Sequence, residues 1–86
     1  IKNTFTVRKR QKKGWQSEGG TWKYINSGEY ITDQWAYLYN PYTNRNAWFR
    51  FDINGNMQTG TVVENGISYY LSDLPDGSKG EWLQDR

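Results

Sequence analysis

The chain has 86 residues, a mass of 10.2 kDa and a formal net charge of +2, with 17% aromatic residues, a mean hydropathy of −1.02 and neither cysteine nor histidine. This length excludes a two-domain enzyme with a cleft between its halves. The two missing residue types exclude disulfides, zinc sites built on thiolate or imidazole, and catalysis by a cysteine or histidine.

The beginning of the chain differs in charge from the rest. Residues 1–13 carry six basic and no acidic side chains, whereas residues 14–86 carry five basic and nine acidic ones. We interpret residues 1–13 as a basic linker or arm and residues 14–86 as a mildly acidic module. A basic arm is able to bind nucleic acid or an anionic polymer, but the acidic module does not extend such a surface, so we expect no nucleic-acid partner. Because the chain begins at Ile1 rather than Met, we also interpret it as a piece of a longer protein.

Three short aromatic runs recur along the module. They cover residues 22–26, 48–52 and 68–72, and each is followed by a turn signal, at residues 26–28, 54–56 and 75–77. An aromatic or apolar anchor precedes each run, at Trp15, Trp35 and Val62. The first two runs lie six residues further apart than the last two, and we assign this excess to a lengthened loop around residues 39–44. The pattern indicates internal repeats, at about residues 14–34, 35–60 and 61–82.

The repeating element predicted from these runs is a β-hairpin of about 20 residues. Polar and apolar side chains alternate with a period of two, and the predicted return strands cover residues 30–32 and 56–59. Fifteen aromatic residues against twelve Ile, Leu and Val indicate a core packed through rings, to which we assign Ile25, Phe49, Phe51 and Tyr69. We predict an all-β fold with little or no helix. No stretch approaches the roughly 20 apolar residues of a membrane helix, so we expect no membrane insertion.

The motifs resemble those of a known family. Residues 14–26 (GWQSEGGTWKYIN) are similar to the start of a choline-binding, or cell-wall-binding, repeat, and residues 48–60 (WFRFDINGNMQTG) to its remainder. A looser third copy lies in residues 65–78, so the resemblance extends to about Trp82. It implies a left-handed β-hairpin solenoid without catalytic activity. Such modules attach secreted surface proteins of Gram-positive bacteria to phosphocholine on the teichoic acids of the cell wall.

The resemblance also implies where choline would bind. A quaternary ammonium donates no hydrogen bond, so proteins enclose it with the faces of aromatic rings. The implied first cage consists of Trp15, Trp22 and Trp35, with Tyr24 as a further lining residue. The implied second cage consists of Trp35, Trp48 and Tyr70, with Met57 as a polarisable wall. Neither cage requires a cofactor or a metal.

Four residues depart from the family pattern. Arg50 stands where a tyrosine is usual, and its charge would repel a cation. The other three replace a glycine or a tryptophan of the repeat and are Gln34, Thr61 and Ser68. We therefore expect at most two working cages.

Two other binding functions remain open, while catalysis is not expected. Tyr37, Tyr39 and Tyr42 near the lengthened loop would suit a carbohydrate, and a third possibility is a structural spacer whose rings only pack the hairpins together. Six carboxylates lie in polar, turn-like contexts, where solvation is expected and burial does not tune them for acid-base work, namely Glu18, Glu29, Asp33, Asp52, Asp73 and Asp76. Residues 52–56 lack the spacing of a calcium loop. Apolar side chains near the C-terminus predict a homodimer formed through the C-terminal hairpin.

Overall fold

Seven β-strands make up the regular structure of the chain, and a computed structural model describes residues 13–83. The strands are β1 (Gly14–Glu18), β2 (Thr21–Asn26), β3 (Glu29–Tyr30), β4 (Gln34–Asn40), β5 (Arg45–Phe51), β6 (Gly60–Glu64) and β7 (Ile67–Leu71). They form an antiparallel sheet β1-β2-β3 and two antiparallel hairpins, β4-β5 and β6-β7. Residues 13–83 contain no helix, which confirms the prediction of an all-β fold built from antiparallel hairpins.

The predicted basic arm, apart from Lys13, lies outside the described residues. Between residues 13 and 83, no helix is long and apolar enough to cross a membrane.

Tight turns fix the first and third hairpins. Gly19-Gly20 connects β1 to β2 and Asn65-Gly66 connects β6 to β7, and all four residues have positive φ. Positive φ at both central residues is the requirement of a type I′ turn, which glycine and asparagine meet at the lowest cost. The middle hairpin instead has a four-residue loop, residues 41–44, which we call the middle loop.

The strand register makes three units equivalent. Each unit has a buried apolar residue paired with the first residue of its hairpin, and these buried residues are Ile25, Phe51 and Leu71. The middle hairpin is longer than the other two by two residues in each strand and two in its loop. The six-residue excess seen in the sequence is therefore mostly added strand rather than added loop.

The strands pair differently from the prediction. We expected each aromatic run to begin a hairpin, with return strands at residues 30–32 and 56–59. In the structure each run is the second strand and pairs with the segment before it, while the return strands shrink to β3 and to one bridge between Phe51 and Met57. The Asp52 side chain explains the shortening of the second return strand, because it accepts hydrogen bonds from the backbone N–H groups of Asn54 and Asn56 and bends the chain out of the ladder.

A repeated backbone hydrogen bond joins successive units. The N–H of Met57 in the second unit donates to the carbonyl of Trp22 in the first, over 2.8 Å. The N–H of Trp82 in the third unit donates to the carbonyl of Trp48 in the second, over 2.9 Å. Each bond places the side chain of its donor beside the aromatic strand of the preceding unit.

The core lies between the first and middle hairpins. Ile31, Phe49 and Phe51 form its buried cluster, and the partly buried residues around them are Trp15, Tyr24, Ala36, Leu38, Ala47 and Met57. The core assignments of Ile25, Phe49 and Phe51 agree with their burial, whereas Tyr69 is only half-buried. The core is therefore built mainly from rings of two units.

Gly80 gives a test of how tightly the third unit packs on the second. A Cβ at this buried position would lie 2.7 Å from the Cε of Met57, and Gly80 has a φ of +89°. We expect Gly80→Ala to lower the free energy of unfolding by about 1 to 3 kcal/mol more than Gly66→Ala. Gly66 is the matched control, because its φ is also positive at +80° but open space surrounds it. Equal losses in urea unfolding would show that Met57 moves aside without cost.

Candidate ligand-binding site

A concave pocket of about 280 Å³ lies where residues of all three units meet. The first unit supplies two tryptophans, the second supplies the middle loop and two core residues, and the third supplies part of the segment after β7. We call it the aromatic pocket, and its lining residues are Trp15, Trp22, Asn40, Pro41, Tyr42, Phe49, Met57, Leu74, Pro75, Gly77 and Lys79.

Rings at steep angles form one side of the pocket. The ring centroids of Trp15 and Trp22 are 6.2 Å apart and their planes meet at 88°, while those of Trp22 and Tyr42 are also 6.2 Å apart and meet at 70°. The indole N–H of Trp15 donates to the carbonyl of Tyr39 over 2.9 Å, which fixes the ring. Perpendicular rings present their electron-rich faces in different directions around one volume, as an enclosed cation requires.

The first hairpin explains why the two tryptophans meet. Trp15 pairs with Tyr24, and Trp22 pairs with Ser17, so all four side chains share one face of the β1-β2 ladder. The Tyr24 ring packs edge-on against Trp15, with centroids 5.2 Å apart. Tyr24 therefore supports Trp15 from the side of the core but does not line the pocket itself.

The remaining residues of the implied cages are grouped differently. Trp35 does not reach the pocket, and Tyr42 of the middle loop stands beside Trp22 instead. Met57 lines this pocket rather than a second cage. Trp48 packs against Tyr37 with centroids 5.2 Å apart, and Tyr70 is 41% exposed.

A second group of rings closes on itself at the other end of the structure. Trp35, Tyr69 and Trp82 pack pairwise with centroids 5.1 to 6.1 Å apart, and we call them the C-terminal cluster. The register explains the difference from the aromatic pocket, because Trp82 occupies the place that Met57 occupies one unit earlier. An indole there fills space that a methionine leaves open.

The charge of Arg50 is compensated within the protein. Its guanidinium lies 3.1 Å from a carboxylate oxygen of Asp33 and 3.2 Å from one of Glu64. Glu64 also accepts a hydrogen bond from the indole N–H of Trp35. This indole bond, followed by the bond from Arg50, lowers the pKa of Glu64 below its ordinary value of 4.5. Arg50, which departs from the family pattern, is therefore part of a polar network beside the C-terminal cluster.

A buried carboxylate holds the middle loop in place. Glu81 is 2% exposed, and its Oε2 accepts hydrogen bonds from the amide of Asn40 (2.9 Å) and the hydroxyl of Thr43 (2.7 Å). Its Oε1 accepts one from the guanidinium of Arg45 over 2.6 Å. Because these partners flank Tyr42, Glu81 fixes the wall that the middle loop contributes to the pocket.

Sequence comparison gives no assignment, whereas the fold has a solved counterpart. No family model and no curated protein matches the chain. The structure is similar to the crystal structure of the modular Cpl-1 endolysin complexed with a peptidoglycan analogue, with a TM-score of 0.62 and 28% sequence identity. The match covers 83% of this chain and 18% of the endolysin chain, so it concerns one small part of that protein.

Loss of the Glu81 carboxylate should loosen the pocket wall. We expect Glu81→Ala to lower the free energy of unfolding by about 3 kcal/mol, because the amide of Asn40 and the hydroxyl of Thr43 lose a buried acceptor. Glu29→Ala is the matched control, since Glu29 is exposed on β3, and its effect should stay within about 0.5 kcal/mol. Urea unfolding measures both values. Similar losses for the two variants would contradict the anchoring role of Glu81.

The lowered pKa of Glu64 predicts a loss of stability in acid. A carboxylate with a depressed pKa in the folded state stabilises the fold above its unfolded pKa, near 4.5, and this stabilisation disappears as the pH falls through the folded pKa. The difference in unfolding free energy between the parent chain and Glu64→Gln should therefore shrink below pH 4.5. Trp35→Phe removes the indole donor and should weaken the same pH dependence. A difference that stays constant down to pH 3 would refute this assignment.

Proposed function

We propose that this chain is a non-catalytic module that attaches a protein to the bacterial cell wall by binding the choline group of wall phosphocholine in the aromatic pocket. The observation that carries the proposal is the perpendicular pair Trp15 and Trp22, with Tyr42 and Met57 around the same volume. The similarity to an endolysin that was crystallised with a peptidoglycan analogue supports a wall ligand. A secreted protein at the cell surface is the setting that this function requires.

The quaternary ammonium of choline is held better by aromatic rings than by polar groups. Its methyl groups spread the charge and donate no strong hydrogen bond, so fixed dipoles of a polar site hold it poorly. Ring faces attract it, each contributing about 0.5 to 2 kcal/mol, and the polarisable sulfur of Met57 suits the methyl surface. The first hairpin suits this ligand because β1 and β2 present the rings of Trp15 and Trp22 on one face.

The arrangement of units supports a solenoid. A single hairpin is marginally stable in water, so successive hairpins gain stability by stacking. The bonds from Met57 to Trp22 and from Trp82 to Trp48 repeat the same contact from one unit to the next.

A carbohydrate remains the second candidate, and one observation favours it. Tyr37 and Trp48 pair across β4 and β5 on the face opposite the core, where they are 57% and 39% exposed. Their rings are tilted by 49° and form an open platform of the kind that stacks on sugar faces. Glucan or wall polysaccharide would use this platform, whereas choline would use the aromatic pocket.

A choline titration tests the proposal. Choline chloride should give a saturable change in tryptophan fluorescence and near-UV circular dichroism that sodium chloride at equal ionic strength does not. Trp22→Ala should weaken binding about tenfold, because one ring face of the pocket is lost. Trp48→Ala is the matched control, since Trp48 holds the equivalent position in the next unit outside the pocket, and its choline affinity should be unchanged.

The same titrations separate the candidates. An unsaturable choline response would remove the choline function. Binding of a wall polysaccharide that Trp48→Ala abolishes and Trp22→Ala spares would establish the carbohydrate function instead. The structural-spacer interpretation predicts that neither ligand binds and that both substitutions affect stability alone.

A further inference from the structure

The aromatic pocket carries one formal charge of its own. Among the described residues that line it, Lys79 is the single charged side chain, and no carboxylate is present. The ammonium group is exposed and takes part in no ion pair among residues 13–83. A pocket built only to hold a cation would gain nothing from this lysine, because like charges repel.

The backbone on both sides of Lys79 is fixed. Ser78 and Glu81 are buried, and the N–H of Glu81 donates to the carbonyl of Ser78 over 2.8 Å. The N–H of Gly80 donates to the carbonyl of Ser72 over 2.7 Å, which ties the segment to the end of β7. The exposed lysine side chain therefore extends from a rigid anchor at the rim of the pocket.

Two carboxylates of the same segment already accept hydrogen bonds. Glu81 accepts hydrogen bonds from Asn40, Thr43 and Arg45. Asp76 accepts one from the Ser78 hydroxyl over 2.6 Å and another from the Ser78 N–H over 3.0 Å. No carboxylate of residues 13–83 forms an ion pair with Lys79, so its charge is available to an anion that enters from solvent.

We infer that Lys79 forms an anion subsite beside the aromatic pocket, so that the site selects zwitterionic phosphocholine over free choline; this inference rests on the proposed function. In phosphocholine the phosphate is joined to the ammonium through a two-carbon ester chain. With the ammonium between the rings, the phosphate lies at the rim. A lysine on a flexible stem, acting as a compact point charge, can follow it there.

The expected selectivity is modest because the lysine is exposed to solvent. An ion pair at a surface is screened, so phosphocholine should bind about threefold to fivefold more tightly than choline at low salt. Raising the sodium chloride concentration should reduce this preference while leaving choline binding nearly constant. The rings determine the affinity for choline, and Lys79 determines the ratio of the phosphocholine affinity to the choline affinity.

The experiment titrates the full chain with choline chloride and with phosphocholine, following tryptophan fluorescence. Lys79→Gln should bring the affinity ratio to about one, Lys79→Arg should keep the preference, and Lys79→Glu should reverse it. Lys23→Gln is the matched control, because it also removes one positive charge, from a lysine on β2 that does not line the pocket. Its ratio should equal that of the parent chain.

Each outcome decides a different question. A ratio that stays constant through the Lys79 variants, while choline still binds, overturns the anion subsite and leaves the choline function standing. Failure of the parent chain to bind either ligand overturns the proposed function and, with it, this inference. Far-UV and near-UV circular dichroism of each variant tests whether the fold is retained, as expected for substitutions of the exposed Lys79.

Discussion

The backbone hydrogen bond between the N–H of Met57 and the carbonyl of Trp22 is the contact on which the other features of the structure depend. It gives the first hairpin a partner beyond its own sheet, and isolated hairpins are marginal in water. The same bond recurs between Trp82 and Trp48, yet the space beside the two bonds is filled differently. Methionine at this place leaves a pocket open beside two indoles, whereas tryptophan fills the corresponding space.

Local pattern was sufficient to predict an all-β fold built from antiparallel hairpins. Alternating aromatic runs and glycine turns follow from the pleat of a strand and from the backbone freedom of glycine, both of which are properties of adjacent residues. The pairing partners were harder to predict, because each run has a turn on both sides. Ser27-Gly28 after the first run has the same positive φ values as Gly19-Gly20 before it, so turn chemistry alone does not select the pairing partner of that run.

The candidate site could be predicted only where its residues share a hairpin. Trp15 and Trp22 meet across one ladder, so their proximity follows from strand register. Tyr42 and Lys79 reach the same pocket through the hydrogen bonds of Glu81 to a loop about 40 residues away in sequence, and no local pattern encodes such a contact. The lengthened middle hairpin was a visible sign that its loop extends beyond its own unit.

The contribution of the third unit to the aromatic pocket has a consequence for cooperativity. In a linear array each unit contacts only its neighbours, so melting can begin at one end and stop partway. Here Leu74 and Pro75 line the same volume as Trp15 and Trp22, although a whole unit separates them in sequence. A bound molecule would contact the first and third units at once, so it would stabilise the fully folded state but no state in which either unit has melted. Ligand binding would therefore replace stepwise fraying by a single all-or-none unfolding transition.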